Sequence, residues 1–234
     1  IYEIGSNVFK ECSSLKQIEI FSDKIEIGEN IFNGIKKIEI SDKMMKIPNK
    51  LFFKCSSLIE IKIPPSIIEI DDDAFNECTS LINIEIPNSV KRIGSSAFKG
   101  CTSLKHIVIP SNVTEIKNDV FNGCTSLINV EIPNSVKKIP SSSFKGCTSF
   151  KQIVIPSNIT EIEDDVFNGC IPLIQVEIPN SVKRIGSNAF KECTSLKKIS
   201  IPSNVTEIGS SIFDGCISLL EIVIPSSIKK IESY

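Results

Sequence analysis

The stretch Leu104-Lys105-His106-Ile107-Val108-Ile109-Pro110-Ser111-Asn112-Val113-Thr114-Glu115-Ile116-Lys117-Asn118-Asp119-Val120-Phe121-Asn122-Gly123-Cys124 decides how the rest of the chain is read. Its β-branched run Ile107-Val108-Ile109 alternates with period two, which predicts a short strand with Ile107 and Ile109 on one face. Pro110 ends that strand, because it has no N–H to give to a ladder. Leu104, Ile107 and Ile109 should point inward, and Val113 and Ile116 should return to the same interior from an opposite wall. The Ser/Asp-rich stretch before Val120-Phe121 fits a tight turn or a single helical turn. Gly123 can take the left-handed conformation that ends such a turn.

The stretch is one copy of a repeat, and Phe gives its register. Phe75, Phe98, Phe121, Phe144, Phe167, Phe190 and Phe213 stand 23 residues apart, as do Phe9 and Phe32 and also Phe52 and Phe75. The step from Phe32 to Phe52 is 20, because Ile35 follows Gly34 where other copies insert Cys-Thr-Ser. Ten copies therefore align. The strand-ending proline recurs at Pro64, Pro87, Pro133, Pro156, Pro179, Pro202 and Pro225. Glu77 and Glu192 stand where Gly123 does, which reads as a position that does not strictly demand positive φ. No single copy can close a core. Stacked copies can, each laying its Leu, Ile, Val and Phe on those of the next. At the strand spacing of about 4.8 Å, ten rungs make a rod roughly 45–50 Å long.

The opening of the unit fits the L-x-x-L-x-L-x-x-N form of leucine-rich repeats. The longer phrase I-P-x-S-V-x-x-I-G-x-x-A-F-x-G-C-x-S-L-x-x-I, nearly letter for letter in Ile86 to Ile107 and Ile178 to Ile199, is more specific. It resembles the BspA-type leucine-rich repeats, a family of surface proteins of anaerobic bacteria and protist parasites. The resemblance implies a β-dominant α/β solenoid, with a parallel sheet on one face and short strands, turns or 3-10 helices on the other. It also implies a non-enzymatic protein-binding module for adhesion or recognition of a host or matrix protein, at a cell surface or secreted. Residues 1–234 read as one solenoid domain and as a piece of a longer protein. An intracellular scaffold or regulatory module is the alternative, favoured by nine cysteines and by the lack of a secretory segment at the start.

Composition removes other classes. A net charge of −2 gives no basic stripe for nucleic acid. Lys, Glu, Asn or Pro interrupts every Ile-rich run before it could span a membrane. No cofactor motif appears. Cys12, Cys55, Cys78, Cys101, Cys124, Cys147, Cys170, Cys193 and Cys216 each stand three residues after the register Phe. Without C-x-x-C spacing they predict no zinc site, and as parallel neighbours they predict a structural ladder of free thiols rather than disulfides. His106 is the sole histidine, and it lies outward on a strand with no nucleophile patterned beside it. Asp71-Asp72-Asp73 lacks the spacing of a calcium loop and reads as a polar turn.

Asn112-Val113-Thr114, Asn158-Ile159-Thr160 and Asn204-Val205-Thr206 are N-glycosylation sequons. The same asparagines fall on the Asn of the repeat consensus, which turns inward to bond backbone, so two roles compete for them. Their spacing of 46 residues reflects a longer period, in which Pro-Asn-Ser-Val alternates with Pro-Ser-Asn-(Val/Ile)-Thr. The residue before the second-wall Ile alternates in sign as well: Glu26, Lys46, Glu69, Arg92, Glu115, Lys138, Glu161, Arg184, Glu207, Lys230. Stacking makes these vertical neighbours that attract, which penalises a slip by one rung.

The binding face is expected on the outward side of the strands. Its centre is His106, Val108, Asn129, Glu131, Gln152, Val154, Gln175 and Glu177, weakly charged, with Ile82, Ile128, Ile174 and Leu220 along one margin. Such a surface favours a protein partner. The ends, Ile1 and Tyr234, show no polar cap, so end-to-end association between copies is a further expectation, with Lys230 meeting Glu3.

Overall fold

The proline after each Ile-rich run and the second-wall isoleucine divide every copy into two short strands joined by turns. The computed structural model describes residues 3–19 and 26–231. Strands are numbered in chain order. The second wall holds β1 (Glu3–Ile4), β3 (Glu26–Ile27), β5 (Lys46–Ile47), β7 (Glu69–Ile70), β8 (Arg92–Ile93), β10 (Glu115–Ile116), β12 (Lys138–Ile139), β14 (Glu161–Ile162), β16 (Arg184–Ile185), β18 (Glu207–Ile208) and β20 (Lys230–Ile231). The first wall holds β2 (Gln17–Ile18), β4 (Lys37–Ile40), β6 (Glu60–Lys62), β9 (His106–Val108), β11 (Asn129–Glu131), β13 (Gln152–Val154), β15 (Gln175–Glu177), β17 (Lys198–Ser200) and β19 (Glu221–Val223). Asn83 takes the vacant first-wall place with a single parallel bridge to His106. All pairings are parallel, between successive copies. The chain is thus a parallel β-solenoid.

The core is the stack of inward residues. Leu104, Ile107, Ile109 and Val113 are buried, as are their counterparts through most of the rod. The register phenylalanines form a column, with ring centroids 5.1–5.9 Å apart from Phe9 to Phe213. Offset aromatic stacks contribute about 0.5–1.5 kcal/mol each beyond burial.

The turns correct the sequence reading. No helix, α or 3-10, occurs among the described residues, so the α/β description and the predicted 3-10 helices give way to turns. The reason is that each turn has a left-handed residue on either side of its Phe. Asp73, Ser96, Asp119, Ser142, Asp165, Asn188 and Ser211 have φ of 53–59° two residues before it. Gly100, Gly123, Gly146, Gly169 and Gly215 have positive φ two residues after it, and so do Glu77 (φ 58°) and Glu192 (φ 57°). The position therefore does demand positive φ, and glutamate bears the strain where glycine is absent. With these residues left-handed, the turn amides aim along the rod instead of back four residues. Phe121 N donates to Ser143 O at 3.0 Å and Gly123 N to Lys145 O at 2.7 Å, both in the following rung.

The strand ladders are not continuous. β11 pairs with β9 but not with β13, while β12 pairs with β14 but not with β10. The rung of β11 and β12 is thus bonded backward on the first wall and forward on the second. Pro140 explains the second-wall gap. In other rungs this residue donates to the preceding isoleucine carbonyl: Gly94 to Ile70 at 2.8 Å, Lys117 to Ile93 at 3.0 Å, Gly186 to Ile162 at 2.8 Å. Proline has no such donor. A second Lys-Ile-Pro run, Lys46-Ile47-Pro48, stands where the wall is interrupted between β3 and β5. On the first wall the gap lies beside Phe150. It takes the place of Leu127 and Leu173, is fully buried, and stacks on Phe144 at 5.1 Å. The break in the first-wall ladder thus coincides with the one rung whose leucine place holds a larger ring in a filled layer.

Candidate strand-face binding site

The first wall carries its outward side chains into solvent. β9, β11, β13 and β15 all have an exposed–buried–exposed pattern. His106, Val108, Asn129, Glu131, Gln152, Val154, Gln175 and Glu177 are accordingly all exposed on one face. The parallel register sets them in columns. Asn129 faces His106, and Glu131 faces Val108; Gln152 faces Gln175, and Val154 faces Glu177. The His106 ring Nδ1 lies 3.2 Å from Asn129 Oδ1, and Gln175 Nε2 donates to Glu177 Oε1 at 3.5 Å. Val108 is 62% and Val154 83% exposed, with no layer of the described chain over either.

The structure adds a pattern that the sequence reading saw only in part. The margin column runs Ile82, Lys105, Ile128, Lys151, Ile174, Lys197, Leu220. The far column runs Glu85, Val108, Glu131, Val154, Glu177, Ser200, Val223. From Ile82 to Glu177 a rung carrying apolar Ile on one side carries Glu on the other, and the next carries Lys and Val; the last two rungs depart from this, with Lys197 and Ser200 and then Leu220 and Val223. The result is a chequerboard of charge and apolar surface flanking a central column of Asn, His and Gln. The 46-residue period held the signal for this.

Depressions indent this face of the described chain. Two lie over predicted residues, one lined by Asn129, Glu131, Gln152, Val154 and Pro156 and the other by Gln152, Val154, Gln175, Glu177 and Pro179. Another, of about 900 Å³, lies nearer the start of the chain, between Glu60, Lys62, Pro65, Asn83 and Glu85. Pro65 is its signal in the sequence: Pro64-Pro65 is a doublet where other copies have one proline. The pairing between β6 and Asn83 is absent at this point.

The other singled-out residues lie away from this face. Cys78, Cys101, Cys124, Cys147, Cys170 and Cys193 are buried, Cys216 is half-buried, and all are free thiols. Each donates to the Phe carbonyl of the preceding rung, at 3.0–3.2 Å: Cys78 to Phe52, Cys101 to Phe75, Cys124 to Phe98, Cys147 to Phe121, Cys170 to Phe144, Cys193 to Phe167 and Cys216 to Phe190. The same carbonyls accept the Cys N–H of their own rung, so both lone pairs are used. Burial pushes the thiols up, those of Cys124 and Cys170 to about 12, which removes them from nucleophilic chemistry.

In the second-wall column, Lys46 faces Glu69, Glu69 faces Arg92, and Glu161 faces Lys138 and Arg184. Glu3 faces Glu26, a like-charge pair. Arg184 reaches Glu161 at 2.7 Å, but Lys138 turns diagonally to Glu163. Burial alone would raise the Glu163 carboxyl; hydrogen bonds from Lys138 and from the Ser141 amide and hydroxyl outweigh it and hold it low. Asp72 accepts from the Ser95 amide at 2.7 Å, as a turn residue does. Ile1, Tyr234 and the side chain of Lys230, on which end-to-end association was expected to turn, lie outside the described residues.

No helix among the described residues is long and apolar enough to cross a membrane. No curated protein matches the chain. Among solved structures, a leucine rich cell surface protein from Faecalibacterium prausnitzii is similar, with 28% identity, 95% of this chain and 76% of that chain covered, and a TM-score of 0.57. A leucine-rich repeat protein from Bacteroides ovatus has 26% identity, 93% and 82% coverage and a TM-score of 0.58. A leucine-rich repeat protein from T. pallidum has 28% identity, 80% and 78% coverage and a TM-score of 0.63. The family description "BspA type Leucine rich repeat region (6 copies)" matches residues 2–128 and 114–234.

Proposed function

Because the chain belongs to the BspA-type leucine-rich repeat family, we propose that it is a non-enzymatic protein-binding module that acts at a cell surface through its strand face. The observation that carries this is the exposure of Val108 and Val154 among neutral amides, with Glu131 and Glu177 alongside. Exposed apolar side chains ringed by polar ones favour protein contacts. The surface location is supported by the cell-surface description of the Faecalibacterium prausnitzii protein. Adhesion to a host or matrix protein is the specific form proposed. Antibody labelling of intact source cells is expected. Labelling only after permeabilisation would remove the adhesion reading and move the search for partners inside the cell. Reversing Glu131 and Glu177 to Lys is expected to weaken capture of the matrix or host protein that the chain binds. Unchanged capture would place the contact elsewhere.

A second reading, an intracellular scaffold, is favoured by one observation: every cysteine among the described residues is a free thiol. Free thiols persist most readily in reducing compartments.

A further inference from the structure

We propose that the folded solenoid accepts N-linked glycans at Asn112 and Asn204 and excludes one at Asn158. The three sequons are equivalent in sequence but not in structure. Asn112 and Asn204 are exposed, and each uses one Nδ2 hydrogen, donating to Asn88 O at 2.8 Å and to Asn180 O at 2.6 Å. Asn158 is half-buried and uses both, donating to Asn134 O at 2.8 Å and to Val136 O. Its Oδ1 is buried with no hydrogen-bond partner among the described residues.

The chemistry turns this difference into selectivity. Transfer from a lipid-linked oligosaccharide breaks one Nδ2–H bond and forms a bond from that nitrogen to the first sugar's C1. The lipid pyrophosphate leaves, and the proton is lost. One N–H remains on the nitrogen. Asn112 and Asn204 keep their backbone bond with that remaining hydrogen, and the sugar takes the solvent side. Asn158 must give up one of its two bonds, leave a carbonyl of the preceding rung short of a donor, and pass the sugar through a half-buried site. The hydroxyl-bearing sequon residues do not set the order: Thr114 and Thr160 are exposed and Thr206 is half-buried, and each donates to the carbonyl of a lysine one rung back, Lys91, Lys137 and Lys183.

The two accepting sites are four rungs apart on the same edge of the rod, about 19 Å at the parallel-strand spacing. The alternate rungs carry serine at this place, and Ser89, Ser135 and Ser227 donate hydroxyl bonds to the Ile67, Val113 and Val205 carbonyls. The inference holds whichever face binds a partner.

The test incubates the purified, folded full chain with an oligosaccharyltransferase and a lipid-linked oligosaccharide and maps each sequon by mass spectrometry. Glycan is expected on the Asn112 and Asn204 peptides, and the Asn158 peptide is expected bare. Thr114→Ala and Thr206→Ala should each remove one glycan mass, and Thr160→Ala should remove none. Occupancy at Asn158 comparable to the other two, or bare peptides at all three, overturns the proposal. The unmutated chain gives the answer by itself if a variant fails to fold.

Discussion

The turn column and the strand ladders respond differently to the same rung. At the rung of β11 and β12 both ladders stop, one on each side, and neither Lys137 nor Lys151 makes the inter-rung amide bond of its column. Their counterparts do: Thr160 N reaches Lys137 O at 2.8 Å, and Ile128 N reaches Lys105 O at 3.1 Å. The turn column crosses this place without a break. Phe121 stacks on Phe144 at 5.8 Å, Cys147 donates to Phe121 O at 3.2 Å, and Gly146 N donates to Asn168 O at 2.7 Å. A solenoid can thus lose strand pairing locally and keep its register, provided the buried Phe and Cys column is intact. The strands then supply the surface, and the turns hold the stack.

The largest expected effect follows from the thiols. An unfolded thiol ionises near 9, whereas burial holds Cys55, Cys124 and Cys170 protonated up to about 12. A folded value raised above the unfolded one means that the contribution is complete below the ordinary thiol value. It is withdrawn as pH rises from about 9 toward about 12. Cys78, Cys101 and Cys147 are raised by the same burial. Urea unfolding midpoints are expected to fall steeply across that window. A flat profile there would show that the turn column is not what holds the rungs.

Next is Phe167→Ala, which removes a fully buried ring stacked between Phe144 and Phe190. The cavity it leaves is expected to cost about 3–5 kcal/mol in denaturant unfolding. A smaller effect is expected from copying the interruption into a regular rung. Lys117→Pro removes the bond from Lys117 N to Ile93 O and leaves that carbonyl unpaired, at a cost of about 1–3 kcal/mol. The register should survive, seen as an unchanged far-ultraviolet circular dichroism spectrum. A loss as large as that of Phe167→Ala would put the strand ladder on a par with the turn column and remove the distinction.

Much of this was legible in the sequence. The 23-residue spacing, with its one step of 20, gave the rungs, period two gave the inward isoleucines, and the fixed offset from Phe gave the thiol column. The turn conformation was not legible. Glu77 and Glu192 in a glycine position read as tolerance of ordinary φ, but the constraint comes from the neighbouring rung, whose carbonyl must be met by that amide. Propensity within one copy carries no trace of a bond made to the next. The interruption was hidden for the same reason. Pro140 is unremarkable until the residue at that place is known to donate one rung back. Phe150 is one apolar residue replacing another until its layer is known to be full. For the strand-face residues, position and exposure followed from alternation, whereas the depression beside Pro65 depended on an unpaired strand.

The most direct test of the central claim is residue-resolved amide hydrogen exchange across the rung of β11 and β12. The account predicts that the turn amides of Phe121 and Gly123 are as slow as those of Phe167 and Gly169, while Lys137 and Lys151 exchange far faster than Thr160 and Ile174. Slow exchange at Lys137 and Lys151, or fast exchange at Phe121 and Gly123, would contradict it.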